Sequence, residues 1–238
     1  MIEKIGTDAA KFLSTPCYEV KDYLGRLLKN NPSPLNVAEI GVGYGATSIE
    51  IVKMLREEDT FYFYSFQDEV DELNEDLSKQ DYCKCKLVPL GNSHTLYDSF
   101  CWNLGKQVID PNNKNGLFDL VFLDGAHSFL FTGLACVLSK KLIRKNGYLI
   151  LDDLQWSYGN SYNLNPQVYP QILEQYTQEQ VDTLQVLMVV DAFLENDINW
   201  KCLKNNKRRA VYKKVSTANA MLSVFLSRVG LLKKQSAE

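Results

Sequence analysis

The stretch VAEIGVGYGATS, residues 37–48, joins an apolar run to a glycine-rich turn and then to a helical pattern. Its three glycines, Gly41, Gly43 and Gly45, permit backbone angles and close approaches that a Cβ atom would forbid. The start of the following helix offers free N–H groups, which suit an anionic or zwitterionic ligand. Glu39 precedes the first glycine and suits an ammonium or hydroxyl group of that ligand. A tight turn without a ligand is the alternative.

The spacing of these glycines excludes two common nucleotide-binding motifs. The dinucleotide-binding fingerprint requires two residues before its third glycine, and here only one is present. A P-loop requires Gly-Lys-Ser/Thr at its end, which this stretch lacks. The turn therefore indicates a small ligand of another class.

Apolar runs alternate with helical patterns along the rest of the chain, which is typical of a parallel sheet covered by helices on both faces. The weak helical pattern of 191–209 favours an antiparallel last pair of strands. We predict one α/β domain with a seven-stranded, mostly parallel sheet. The predicted strands are 35–40, 60–66, 85–90, 118–123, 148–151, 183–190 and 210–215. The predicted helices are 47–56, 69–79, 93–107, 129–143 and 166–176, with one or two more within 3–30.

Composition excludes several classes of protein. The 238 residues are 45% hydrophobic and 23% charged, without an apolar run near the ~18 residues of a membrane-spanning helix. The N-terminus shows no secretory signal, so we expect a cytoplasmic protein. Its six cysteines, which form no CxxC pair, are expected to be reduced core residues. We divide the chain into an N-terminal helical extension (1–34), the main domain (35–215) and an amphipathic basic C-terminal helix (216–238).

The basic tail is a separate electrostatic region. Residues 201–238 carry ten Lys and Arg against one acidic residue, a charge of +9, whereas residues 1–200 carry −12. Basic tails attract anionic lipid, phosphorylated substrates or nucleic acid. No aromatic residues interleave with the basic cluster of Lys204, Lys207, Arg208 and Arg209, so nucleic acid is not expected. The tail helix would lie on a membrane, pack against a partner subunit or cover its own domain. Its apolar stripe comprises Ala218, Leu222, Phe225, Leu226 and Val229.

Three carboxylates follow two further apolar runs. Asp124 ends the first run in FDLVFLDGAHSF, residues 118–129, and Asp152 and Asp153 end the second in NGYLILDDLQW, residues 146–156. Open α/β sheets hold ligands at the carboxyl ends of their strands. If the two strands are neighbours, the three carboxylates converge and favour a hard divalent cation. The alternative is that they cap a helix and bind loop amides.

Together these three stretches resemble class I S-adenosylmethionine-dependent methyltransferases, over roughly residues 35–155. Within that superfamily they are most similar to small-molecule and sugar O-methyltransferases, which carry a D-G-x-H turn and a D-D strand end. The resemblance implies a Rossmann-like methyltransferase fold with S-adenosyl-L-methionine as cofactor. Gln67 stands where the family usually has an acidic residue for the ribose hydroxyls. The cofactor-binding residues that the resemblance implies are Glu39, Gly41, Gly43, Tyr44, Gly45, Thr47, Gln67, Asp68, Gly91, Asn92, Ser93 and Asp124.

The resemblance also implies roles at the two later strand ends. Catechol-type O-methyltransferases bind magnesium through two aspartates and an asparagine, and Asp124, Asp152 and Asp153 occupy the matching places here. Independently of the resemblance, the place of His127 at the end of the fourth strand suits a general base, with Asp124 as the second catalytic residue. A helix-capping or supporting role is the alternative for His127, and His94 is the alternative histidine.

The expected activity is methyl transfer to a hydroxyl of a sugar or other small polar acceptor, including nucleotide-linked, phosphorylated or glycolipid acceptors, with help from a divalent metal such as Mg²⁺. The polar, aromatic loop 155–170 is expected to lie over the site and contact the acceptor. One alternative is a metal-independent enzyme that uses His127 as base. Another is a non-catalytic cofactor-binding subunit of a larger assembly, and a homo-oligomer is a further option.

Overall fold

The computed structural model describes residues 1–6 and 15–215. Within them, seven strands form one sheet in the order β3-β2-β1-β4-β5-β7-β6. The strands are β1 (Asn36–Ile40), β2 (Thr60–Phe66), β3 (Lys86–Asn92), β4 (Phe118–Leu123), β5 (Ile143–Leu151), β6 (Trp200–Asn205) and β7 (Ala210–Lys214). The helices are α1 (Tyr18–Asn30), α2 (Ala46–Met54), α3 (Gln67–Ser78), α4 (Phe100–Ile109), α5 (Phe129–Leu142), α6 (Ile172–Gln175), α7 (Gln178–Asp182) and α8 (Gln185–Phe193).

The strand direction changes at the β7 end of the sheet, as the sequence predicted. Strands β1 to β5 pair in parallel, and β7 runs antiparallel between β5 and β6. The chain order reverses between β1 and β4, which places a crevice at the carboxyl ends of these strands. The predicted α/β class and the mostly parallel sheet are confirmed.

Two apolar cores lie on the two faces of this sheet. On one face, α4, α5 and α8 cover the buried residues Val121, Leu149 and Tyr212. On the other, α1, α2 and α3 cover a second set that includes Val37, Phe63 and Ile150. Alternate residues of each strand thus enter opposite cores, which is the expected pattern for a sheet covered on both faces.

The predicted strand 183–190 is wrong. Helix α8 occupies most of this segment, and Val186, Val189 and Val190 are buried on one side of it. That spacing of three and four residues is helical, although β-branched residues favour strands when judged by composition. The sixth strand is instead β6, which the sequence left within the connecting segment. Its five exposed residues make it an edge strand with a weak apolar pattern.

The segment after β5 contains a small core of its own. Tyr158, Ile172 and Val181 are buried together, with Trp156 and Tyr176 packed against them. The predicted helix 166–176 is reduced to α6, so most of 155–170 is the ordered loop that the sequence predicted.

Two further predictions concern segments at the chain ends. Helix α1 lies within the predicted N-terminal extension, and its Val20 and Leu24 are buried in the second core. The predicted tail helix 216–238 lies outside the described residues. In the part of the chain that is described, no helix has the length and apolar character needed to span a membrane.

Candidate active site

A cleft opens at the carboxyl edge of the sheet, where β1, β4 and β5 end side by side. Pairing of Ile40 with Leu123, and of Leu123 with Leu151, brings the three strand ends level. The functional residues predicted after these strands therefore meet, although they are far apart in sequence. The described residues that line the cleft are Thr15, Glu39, Val42, Gly43, Ala46, Thr47, Asp124, His127, Asp152, Asp153 and Arg208.

The glycine turn is closed against β4. Gly41 has a φ of +85°, and a Cβ atom there would lie 2.4 Å from the carbonyl oxygen of Asp124. Gly43 also has a positive φ of +50°, but a Cβ atom there would meet no atom within 4 Å. Gly41 is therefore required for packing, whereas Gly43 leaves open space in the wall of the cleft.

Glu39 forms the buried end of the cleft. Its carboxylate accepts a hydrogen bond from the Ser48 hydroxyl, and the residue is 2% exposed. Burial raises the pKa of Glu39 to about 8, partly offset by that hydrogen bond. A cationic ligand group would restore the ionised form. Nearby, the Thr47 oxygen accepts a hydrogen bond from the Cys17 N–H at 3.0 Å, which leaves its own hydroxyl hydrogen for a ligand.

The end of β4 presents Asp124 and His127 to the cleft through a strained turn. Ala126 and His127 both have positive φ, at +62° and +49°. Such backbone is unfavourable for residues other than glycine and is often found at functional sites. Burial, followed by the charges of Asp152 and Asp153, raises the pKa of Asp124 well above its ordinary value. Burial also lowers the pKa of His127, against the opposing effect of the two aspartates.

The two aspartates after β5 have different environments. Asp152 is 3% exposed and its Oδ2 accepts from the Arg209 Nε at 2.9 Å. Its Oδ1 accepts from the Arg208 Nε at 3.2 Å and from the Asp153 N–H at 2.8 Å. Asp153 has a φ of +59° and turns towards His127, with 3.7 Å between its Oδ2 and the histidine Nε2. Both aspartates line the cleft, but Asp152 is held by the arginines whereas Asp153 faces His127.

Asp124, His127 and Asp153 form the group best placed for a metal ion. One ligand atom from each lies within 4.8 Å of the others. Burial and the neighbouring carboxylates both raise the pKa of Asp124, and a bound cation would oppose both effects. Oxygen and imidazole donors at this separation fit a divalent cation. This set replaces Asp152 of the predicted set with His127.

The other predicted cofactor residues lie at the ends of β2 and β3, and the glycine turn contacts β2, where the Gly41 N–H donates to the Tyr64 carbonyl at 2.8 Å. The Gln67 amide donates to Asp71 at 2.9 Å. Asp68 contacts the His94 Nε2 at 3.0 Å, which lowers the pKa of that carboxyl. Of the described residues that line the cleft, none comes from this group, which consists of Gln67, Asp68, Gly91, Asn92 and Ser93.

The sequence did not reveal that two arginines bind Asp152 or that Trp156 contacts His127. Arg208 and Arg209 were assigned only to a general basic cluster, yet both bind Asp152. The available signal was a pair of arginines before the strand that neighbours the Asp-Asp pair. Trp156 lies with its ring centroid 5.3 Å from that of His127, which brings the start of the loop 155–170 to the cleft.

Solved structures share this fold across most of the chain. A Corynebacterium glutamicum protein matches with a TM-score of 0.56 and 15% identity, over 90% of this chain and 89% of that one. A Staphylococcus aureus protein described as a caffeoyl-CoA O-methyltransferase gives 0.54 and 15%, over 90% and 91%. TomG from Streptomyces achromogenes, an O-methyltransferase of tomaymycin synthesis solved with its cofactor, gives 0.52 and 12%, over 90% and 89%. These similarities show that the chain has the class I methyltransferase fold.

The family assignment comes from the sequence match. Residues 38–154 match a family model described as a methyltransferase domain, a segment that runs from β1 to just beyond β5. Residues 38–154 therefore form a methyltransferase domain, and the chain is an S-adenosylmethionine-dependent methyltransferase. No curated protein sequence matches the chain.

Proposed function

We propose that the protein transfers the methyl group of S-adenosylmethionine to a hydroxyl of a small polar acceptor. The observation that carries this proposal is the convergence of Asp124, Asp153 and His127 at the cleft beside the glycine turn. An acceptor hydroxyl needs a group that takes its proton as its oxygen attacks the methyl carbon. The names of the Staphylococcus and Streptomyces structures give further support for oxygen as the acceptor atom.

The features of the cleft fit the cofactor. Glu39 would bind its ammonium group, and the free N–H groups at the start of α2 would bind its carboxylate, assisted by the Thr47 hydroxyl. The residues after β2 and β3, including Gln67 and Asn92, would contact its adenosine portion. When bound, the cofactor supplies an electrophilic methyl group. The protein must then hold the acceptor oxygen in line with that group at near-attack distance.

His127 is the group best suited to accept the acceptor proton. Its lowered pKa keeps the imidazole neutral at pH 7, so that it can take a proton without first losing one. Asp153 lies close enough to stabilise the imidazolium that forms. Trp156, which contacts His127, would provide an apolar surface for a sugar ring or a similar acceptor.

A divalent ion held by Asp124 and Asp153 would assist this chemistry. A metal lowers the pKa of an oxygen that it binds, which would make the acceptor hydroxyl easier to deprotonate. His127 would then lie beside the ion with its imidazole uncoordinated, so that it can still accept the proton. Asp152 would act through its arginines rather than as a direct ligand.

Replacement of Gly43 by valine tests the cofactor site. We expect the variant to fold, at a cost of about 1–2 kcal/mol for a left-handed backbone. It should lose at least ~10-fold in calorimetric affinity for S-adenosylhomocysteine, because the branched side chain would occupy the open space of the cleft. Gly105→Val on α4, where a Cβ atom also meets nothing within 4 Å, is the control and should bind normally. Normal affinity in a folded Gly43→Val protein would contradict the proposed cofactor site.

Removal of divalent ions tests the metal. We expect exhaustive chelation to abolish methyl transfer and added magnesium or manganese to restore it. Asp153→Asn should raise the magnesium concentration for half-maximal activity by at least ~10-fold, because the site loses a charged ligand. Asp191→Asn, at an exposed position on α8, should leave that concentration unchanged. Full activity after chelation would leave Asp124 and Asp153 with hydrogen-bonding roles only.

A further inference from the structure

Arg208 is a cationic residue of the cleft wall that the proposed reaction does not use. It lies at the turn between β6 and β7, and its backbone is fixed on two sides. Its carbonyl accepts from the Leu154 N–H at 2.9 Å, and its own N–H donates to the Asn206 side-chain oxygen at 2.9 Å. The turn therefore holds Arg208 beside the end of β5, next to Asp153.

Only one edge of the Arg208 guanidinium is used within the protein. Its Nε lies 3.2 Å from the Asp152 Oδ1 and 3.9 Å from the Asp153 Oδ1. The side chain is 54% exposed. Among the described residues, neither of its two terminal nitrogens has a hydrogen-bond partner. Within the described part of the chain, Arg208 thus lines the cleft with its Nε bonded to Asp152 and both terminal nitrogens unpaired.

The position of Arg208 assigns these donors to the acceptor rather than to the cofactor. Strand β7 is separated from β4 by β5, and from β1 by two strands. At about 4.8 Å per strand, the start of β7 lies ~10 Å from the end of β4 and ~14 Å from the glycine turn. The reacting hydroxyl belongs near Asp124 and His127. Arg208 therefore faces a part of the acceptor that lies about one ring away from that hydroxyl.

An anionic acceptor would need such a residue. Asp152 and Asp153 line the cleft, and residues 1–200 carry a net charge of −12. A negatively charged molecule would be repelled from this region unless a cation received it. A guanidinium with two free terminal nitrogens binds phosphate or carboxylate oxygens in a forked geometry.

We propose that Arg208 binds an anionic group of the acceptor, a phosphate ester or a carboxylate, while the acceptor hydroxyl faces His127. This inference rests on the proposed function and narrows its substrate class to acidic hydroxyl compounds. The competing explanation is that Arg208 only balances the charges of Asp152 and Asp153.

Binding of simple sugars to protein saturated with S-adenosylhomocysteine separates these explanations. The probes are glucose, glucose 1-phosphate and glucuronate, with dissociation constants from NMR titration. We expect at least one charged sugar to bind at least ~10-fold more tightly than glucose, and Arg208→Gln to remove that preference. The stronger of the two charged probes identifies the anionic group. Arg208→Lys should retain part of the preference, and Lys201→Gln, at an exposed position on β6, should retain all of it.

Two results would overturn the inference. One is equal binding of glucose and both charged sugars by the native protein. The other is a preference that persists in Arg208→Gln or falls equally in Lys201→Gln. Binding of S-adenosylhomocysteine, measured first, keeps the proposals apart: its absence contradicts the proposed function, whereas its presence without a charge preference contradicts only the role of Arg208.

Discussion

Replacing His127 by asparagine should lower the rate of methyl transfer by ~10²–10⁴-fold, the usual effect of removing a general base. Asparagine cannot take up the acceptor proton, but it retains a polar side chain and tolerates the left-handed backbone that His127 adopts. Cofactor affinity should therefore change little. The measurement is the turnover number at saturating acceptor, together with calorimetric binding of S-adenosylhomocysteine.

The second histidine provides the matched control. His94 is exposed and stacks on Phe66 with 4.3 Å between ring centroids, at the ends of β2 and β3 rather than beside the predicted metal ligands. We expect His94→Asn to reduce turnover by no more than a few-fold. Turnover of the His127 variant within a few-fold of the native rate would reject the base assignment and favour activation by the metal alone.

The pH profile gives an independent test of the same residue. Because burial lowers the pKa of His127 below its ordinary value of 6.5, protonation should impair the enzyme only below that pH. The acid limb of the native profile should therefore lie below pH 6.5 and disappear from the residual activity of His127→Asn. An acid limb that remains unchanged in the variant would belong to another group.

Replacing Arg209 by methionine should destabilise the protein by about 3–5 kcal/mol, the range for breaking a buried ion pair by removing one partner. Arg209 is 8% exposed and joins three distant parts of the chain. Its NH2 lies 2.9 Å from the Asp152 Oδ2, and its NH1 lies 3.0 Å from the Glu19 Oε2. Methionine would fill most of the space but leave both buried carboxylates with weaker compensation. Unfolding in urea, monitored by circular dichroism, measures the loss.

The neighbouring arginine is again the control. Arg208→Met removes a half-exposed ion pair, which should cost no more than ~1 kcal/mol. If both substitutions cost the same, the Glu19–Arg209–Asp152 connection does not stabilise the fold beyond an ordinary surface pair.

The same connection should make stability sensitive to acid. Burial would raise the pKa of Glu19, but the Lys204 hydrogen bond and the charge of Arg209 outweigh it and lower the pKa to about 2. A carboxyl whose pKa is lower in the folded state stabilises that state above its unfolded pKa and loses this contribution as pH falls through the folded value. The Glu19 contribution should therefore be complete above pH ~4.5 and lost towards pH ~2.

The parts of the fold that the sequence predicted best are those with continuous apolar runs between clear turns. The bounds of β2 and β4 match their predictions, because β4 is buried throughout, β2 is buried over most of its length, and each run ends at polar residues. Strand β6 has five exposed residues and no apolar run, so only its pairing with β7 reveals it. The valines of α8 are residues that favour strands, but they are spaced at helical intervals, and the segment is a helix as the spacing indicates.

The candidate site shows a similar division. The convergence of Asp124 with Asp152 and Asp153 follows from the pairing of β4 with β5. The alternation of apolar runs and helical patterns in the sequence is typical of such a parallel sheet. Which of the two adjacent aspartates is held by the arginines depends on Arg209, which lies 57 residues beyond Asp152 in the chain. It also depends on the left-handed backbone of Asp153. A glycine would indicate such a backbone in the sequence, but an aspartate does not. Contacts of this kind require the folded structure.

The small core formed by Tyr158, Ile172 and Val181 has a consequence for the diversification of this scaffold. Because these side chains pack on one another, the segment from Trp156 to Val181 can change its outer residues without repacking either face of the sheet. The proposed cofactor site and the proposed base, His127, lie at the ends of β1 and β4, outside that segment. Grafting an equivalent segment from a relative should therefore exchange acceptor preference as a module, while the transfer chemistry of the recipient enzyme is inherited intact.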